Sequence, residues 1–594
     1  NHTRLQIFNS AKGLVHGMCY FPAAYQGEYV TQAIMSGIPT ISYSSLSILS
    51  DSIPVWGMCH RRVGNNVVLV DDTGGLTCYK CFNLVLRSSN VLQIHTAALD
   101  KCYTTEEKAL ADCPSDMSIR EKRSREIMLY RTKGFMGEPA VSPTYCPING
   151  AYTFTYSVND GTENSLECQQ HTSEISDCPY GFGLNLKFKG CSFGNMDMSF
   201  HCLGDWEGPS PNQRYVALMD THERAGDVST RPIYRCALYE EDDATGEIKF
   251  ALSSDSTCSN HLKSSTEGYE TLKLAPMPQK PWPSHVRNGN QRHPRANGGS
   301  VSFPSWAQGK WEHIHVQGST MLLKDHRNFK TYTAKMVANS AHPERFLVYA
   351  RTQCGDEHYK CVWLKNRGDN ALEFQLGLYT SPTHNDSLCL SENFQERTWT
   401  TQGRVEVSNP TPYPIIGEYT GVIPDTDSFC AKLYSDCNNP EIMFYSIFNC
   451  FNRSEIFEER EYRCLGQWTE NGQIYTYTER RDMIGYECFV GVLTAKGDIY
   501  LLEAGQNCER GHEPMKRGMR LTQVSKCYGH PKWRSRNRST TKPASRPRIT
   551  ALPTWRERQL EGTSGSTRPV TSNVTSLLLA AVTICVTFVT QTSR

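Results

Sequence analysis

The strongest constraint on this chain is that most of it is written twice. Phe21-Pro22-Ala23-Ala24-Tyr25-Gln26-Gly27-Glu28-Tyr29 returns, without a gap, as Phe303-Pro304-Ser305-Trp306-Ala307-Gln308-Gly309-Lys310-Trp311. Each copy runs through an apolar stretch to Tyr-Lys-Cys, ending at Cys81 or Cys361, and then to Asn-x-Leu, starting at Asn90 or Asn370. A second pair follows, Cys202-Leu203-Gly204-Asp205-Trp206 and Cys464-Leu465-Gly466-Gln467-Trp468. Each of these leads to Tyr-x-Cys, to Gly-acid-Ile (Gly246; Gly497) and to a closing cysteine. The order is A, B, A′, B′: two copies of a two-module unit, a period that fixes the architecture before any strand is assigned.

The 594 residues suit about four domains at roughly 150 residues each. The boundaries read as 1–135 for A, 136–275 for B, 276–300 for a Pro-rich linker, 301–411 for A′ and 412–528 for B′. A basic Ser/Thr/Pro-rich stalk, 529–564, and a C-terminal anchor signal expected to be removed, 565–594, follow. Net charge is +1, which gives a nucleic-acid partner no electrostatic footing.

Strand signals dominate. Residues 66–70, 83–86 and 91–95 in A, and 151–156, 184–188, 215–218 and 248–252 in B, are β-branched or alternate apolar with polar. Two helices are expected in A, over 105–111 and 115–130. Every module opens on Gly-x-aromatic (Gly27-Tyr29, Gly150-Tyr152, Gly309-Trp311, Gly417-Tyr419). A glycine permits a bent entry and the aromatic plugs one end of a barrel or sandwich. The expected fold is mainly β: four tandem disulfide-bonded β-barrel or β-sandwich modules in a duplicated pair. The same opening is similar to the first-strand Gly-x-Trp of lipocalins, which makes a lipocalin-like barrel one form of that fold.

Six cysteines of B (Cys168, Cys178, Cys191, Cys202, Cys236, Cys258) align with six of B′ (Cys430, Cys437, Cys450, Cys464, Cys488, Cys508). The duplication predicts three identical disulfides in each. In A and A′, Cys81 with Cys102 should correspond to Cys361 with Cys389. The unmatched remainder is odd in number, so at least one thiol is expected to be free or intermolecular. Cys78-Tyr79-Lys80-Cys81 has a zinc or redox spacing, but A′ has His358 at the first position, so disulfide use is expected and no metal site. Sequons at Asn1, Asn385, Asn452, Asn537 and Asn573 agree with passage through the secretory route.

Catalytic patterns are missing. No nucleophile elbow, His-Glu-x-x-His, phosphate loop or dinucleotide fingerprint is present, and nothing calls for a cofactor. His313-Ile314-His315 lacks a third ligand, and Glu240-Glu241-Asp242-Asp243 reads as a solvated hairpin tip.

The Phe-Pro opening, Cys-Tyr-Lys-Cys, the Thr-Phe-Thr-Tyr block at 153–156 and the Cys-Leu-Gly-x-Trp block together resemble a group of arthropod extracellular proteins. These are built from consecutive Cys-rich domains of unknown function and are secreted or membrane-tethered. The resemblance implies an extracellular, disulfide-bonded multidomain protein and transfers no catalytic residue, ligand or partner.

Leu577 to Val589 is apolar but shorter than the roughly 20 residues a membrane span needs. Ser564-Gly565-Ser566 followed by a polar spacer fits a glycosylphosphatidylinositol signal, with attachment at Ser564. The expectation is therefore a non-catalytic, glycosylated binding or adhesion protein on the outer face of the plasma membrane. Its partner would be an extracellular protein or glycan. A carrier of a small apolar ligand in its barrels, and an enzyme whose site assembles only in space, are the alternatives.

Overall fold

The computed structural model describes residues 19–33, 41–73, 75–134, 142–159, 166–221, 232–287, 302–395, 397–409, 411–424, 426 and 428–527. Asn1, Asn537, Asn573, Ser564, the stalk and the hydrophobic tail lie outside them. All described residues belong to one compact unit. Among them no helix is long and apolar enough to cross a membrane.

The described residues form four antiparallel eight-stranded sheets in tandem, with a small two-stranded sheet, Leu262–Ser264 with Glu267–Gly268, beside the second. In A the strands run from Gly27–Ala33 to Arg125–Gly134, and the first strand pairs with the last. In B the barrel closes between Ala151–Val158 and Glu270–Pro276. In A′ the sheet runs from Gly309–Lys310 to Thr400–Gly403, and a Trp311–Arg404 bridge joins its two edges. The barrel of B′ closes between Glu418–Val422 and Met519–Ser525. The protein is mainly β, with four tandem domains.

The Gly-x-aromatic device works as an end plug in A and A′. Tyr29 donates its hydroxyl proton to the Tyr25 carbonyl (2.8 Å), and Arg131 from the last strand lies 5.0 Å from the Tyr29 ring centre. Trp311 donates to the Ala307 carbonyl (2.9 Å) beneath Arg404, 4.1 Å away, which itself donates to the Gln308 and Trp306 carbonyls. Gly27 has φ +143°, and a Cβ there would meet the Lys133 carbonyl oxygen at 2.8 Å, so no side chain fits.

The two long motifs are the halves of one docking contact. Asn90 of A donates to the Leu203 carbonyl of B (3.0 Å) and accepts from the Ser142 amide (2.8 Å). Asn370 of A′ instead binds the Asn409 carbonyl and the Ser408 amide at the end of its own module, and the Leu465 carbonyl of B′ accepts from Thr411 (3.2 Å). Gly204 and Gly466 let the strands close: a Cβ would stand 2.5 Å from Ser88 Cβ in the first copy and 2.6 Å from Ala371 Cβ in the second. The motif tryptophans receive arginines, Arg87 over Trp206 and Arg367 over Trp468. A bulge between Cys202 and Gly204 turns the strand so that Phe200 and Cys202 fill the barrel while Leu203 and Trp206 face A.

The remaining contacts join the two halves. B meets A′ through Tyr145, whose hydroxyl donates to the Asp325 carbonyl, and through a Cys178–Cys354 disulfide. B′ meets A where Tyr20 packs on Phe457 and Met483 enters the core of A.

Three expectations change. The helix expected over 115–130 stops at Arg120, and Arg125–Gly134 is a strand. Ile127, Met128, Leu129 and Tyr130 are all buried because one strand face fills A and the other packs on B, and a strand covered on both sides reads as an unbroken apolar run. The 276–300 stretch is not wholly a linker, since Trp282 and Val286 pack on Leu347 and Tyr349 of A′. The third change concerns the cysteines. Cys168–Cys191 matches Cys430–Cys450, and Cys236–Cys258 matches Cys488–Cys508. The third pairs differ: Cys202 bonds Cys146, Cys178 bonds Cys354, and Cys437 bonds Cys527. Cys81 pairs with Cys113 rather than Cys102, which takes Cys78, so Cys361–Cys389 corresponds to Cys81–Cys113. Cys19–Cys59 completes the set. Both cysteines of the C-x-x-C are therefore consumed, in separate disulfides.

Candidate functional site

Copies B and B′ share a barrel but not its filling, and their registers show where they part. In B, Tyr239 pairs with Phe250 across adjacent strands and both are buried in the core. The same cross-strand pair in B′ is Gly491 with Leu501. Loss of both aromatic rings, one to a hydrogen and one to a leucine side chain, leaves a cavity of about 60 Å³, and an interior otherwise packed to crystal density does not close such a gap by itself. Its wall is apolar, formed by Ile415, Leu433, Met443, Ile474, Phe489 and Ile499 among others. Pro414 and Leu493, both exposed, mark its mouth.

One flank of the cavity holds a second replacement. B closes it with the Cys146–Cys202 disulfide; B′ has Tyr413 and Cys464 there. Cys464 is the free cysteine among the described residues, and burial pushes its thiol well up, so it stays protonated. The buried Tyr413 hydroxyl has no hydrogen-bond partner among the described residues. Burial, aided by Cys464 and Tyr462, also holds that hydroxyl well above the usual tyrosine range, so it is a neutral donor.

The far side is polar. Strand neighbours Met196 and Met198 of B become Glu458 and Arg460 of B′, and Leu252 becomes Glu503. Arg460 binds Glu458 through two nitrogens (2.8 and 3.1 Å) and Glu503 through a third (3.0 Å). Tyr462 donates to Glu487 (2.6 Å), and Arg480 ties Glu487 to Asp482. Burial opposes the charge on Arg460, but Glu458, Tyr462 and Glu503 overcome it and its pKa rises. These charges satisfy one another, and Tyr445 and Tyr462 stand between them and the cavity, whose lining carries no charged side chain.

Sequence-predicted positions fall elsewhere. The disulfides brace strand ends and module joints. Asn385 and Asn452 sit on exposed turns, where each Oδ1 accepts from the hydroxyl of Ser387 or Ser454. His313 contacts Glu312 (3.1 Å) and the ring of His326, 4.0 Å away, and no metal-holding group occurs among the described residues. Asp242 caps its hairpin turn by accepting from the Ala244 amide and the Thr245 hydroxyl. The cavity residues escaped sequence reasoning, although Tyr413 in the place of Cys146 was a visible trace of the change.

Each module matches its own family model, and all four models describe domains of unknown function. Residues 17–118 match DUF7044, 142–276 match DUF7042, 297–401 match DUF7043 and 413–514 match DUF7045. No curated protein matches the chain.

Proposed function

We propose that this disulfide-rich chain is an extracellular, non-catalytic binding protein whose ligand site is the interior of the B′ barrel. Eleven disulfides among the described residues support an oxidising compartment. The observation that carries the binding reading is the exchange of Tyr239 and Phe250 in B for Gly491 and Leu501 in B′, which opens a cavity in the second of two barrels that share one topology. The lipocalin-like comparison favours the same reading, since eight-stranded barrels are wide enough to hold one small ligand. In this account A, B and A′ are a clamped scaffold, and the protein sits on the outer leaflet through a lipid attached at Ser564. Native mass spectrometry of gently purified protein should show a bound small molecule; a bare mass after exposure to extracellular medium would refute the site. Phosphatidylinositol-specific phospholipase C should release the protein from cells, and retention beside a released control would refute the anchor.

A further inference from the structure

The lining of the B′ cavity narrows what could occupy it. A carboxylate or ammonium would enter a pocket with no charged side chain to meet it, at a desolvation cost of several kcal/mol. A pure hydrocarbon would fit the walls and leave the Tyr413 hydroxyl as unpaired as it is in the empty barrel, whereas an acceptor would satisfy that buried donor. Tyr462 does not compete for a ligand, because its hydroxyl proton is already given to Glu487 (2.6 Å). The charged layer beyond it is internally paired, and Tyr413 is the lining residue whose fully buried hydroxyl has no partner among the described residues.

We infer that the B′ barrel takes a small neutral amphiphile, a short apolar body with one hydrogen-bond acceptor such as a ketone, aldehyde or alcohol oxygen, seated with that oxygen on the Tyr413 hydroxyl. This rests on the reading that the cavity is a ligand site, and it adds the ligand class. The volume of about 60 Å³ is under half the ~150 Å³ of an apolar cavity that admits benzene, so the enclosed portion of a ligand is short. A longer chain would trail out past Pro414 and Leu493. The same substitution explains Cys464: Tyr413 occupies the position of the cysteine that would have bonded it, exchanging a covalent brace for a donor on the wall.

The test uses three probes of nearly one shape on the full, oxidised protein: pentan-2-one, pentane and pentanoate, observed by saturation-transfer NMR. Pentan-2-one should bind about tenfold more tightly than pentane, the equivalent of about 1.4 kcal/mol, and pentanoate should not bind. Tyr413→Phe should bring pentan-2-one down to the level of pentane. Leu501→Phe, the residue B carries, should abolish both, and Ile474→Phe serves if that variant fails to fold. Pentanoate binding best, or an unchanged ketone preference in Tyr413→Phe, overturns the ligand class while leaving the cavity as a site. No binding by pentan-2-one or pentane to the native protein overturns both.

Discussion

Asp177 offers a quantitative test of how B is held at its first strand. Its carboxylate accepts from the Gly150 amide (2.8 Å) at the bent entry where Gly150 has φ +94°, and it is 1% exposed. Desolvation raises its pKa from 3.8 to about 6, against smaller lowering contributions from the Gly150 amide and Lys324. A folded pKa above the unfolded one means that the native state holds the proton more tightly. Stability contributed by the protonated form is therefore fully present below about pH 4 and lost as pH rises through about 6. The shift of roughly two units corresponds to about 3 kcal/mol, since each unit is worth about 1.4 kcal/mol. B′ does the same job without titrating: the Ser435 hydroxyl accepts from Gly417 at 2.7 Å. Asp177→Ser should therefore flatten the pH dependence and stabilise B above pH 6 by up to about 3 kcal/mol. Urea unfolding of the oxidised protein at pH 4 and pH 7.5, read by hydrogen exchange in peptides of Ala151–Val158, measures it. If the pH dependence in that strand is equal in both proteins, or the variant is weaker at pH 7.5, the desolvation account is wrong.

Two further outcomes follow from the same geometry. Arg460→Met restores the residue of B but strands Glu458 and Glu503; it should destabilise B′ by about 3–5 kcal/mol, read as a lowered unfolding midpoint, and adding Glu458→Met should recover much of the loss. Gly466→Ala drives a methyl to 2.6 Å from Ala371 Cβ and 3.0 Å from the Arg367 carbonyl. It should loosen A′ from B′ while leaving each barrel formed, seen as faster hydrogen exchange confined to Ala371–Leu376 and Ile456–Glu470.

The family matches bear on how the duplication should be read. A and A′ match different models, as do B and B′, so each copy has kept the sheet while its interior has diverged. Two of the stretches that stay recognisable, Asn-x-Leu and Cys-Leu-Gly-x-Trp, meet another module, where backbone approach tolerates little change, while the Phe-Pro opening plugs the end of its own sheet. Barrel interiors are freer, because volume-conserving exchanges and even a polar layer fold if every group is paired.

Order A, B, A′, B′, the strand content and the use of cysteines in disulfides were all legible in the sequence, because a two-residue alternation, paired turn glycines and cysteine spacing are local or repeated signals. That cysteines of B and B′ would pair alike followed from the repeat and holds for two pairs in each, but which cysteines join came only from the fold. Cys178–Cys354 did not, since its partners lie in different modules and come together only when those modules dock. The strand Arg125–Gly134 was misread for a related reason: burial on both faces erases the alternation that marks a strand. The cavity depends on Gly491 facing Leu501 across neighbouring strands and on both meeting Tyr413, Leu433 and Met443 inside the closed barrel, an enclosure that no single stretch of sequence displays.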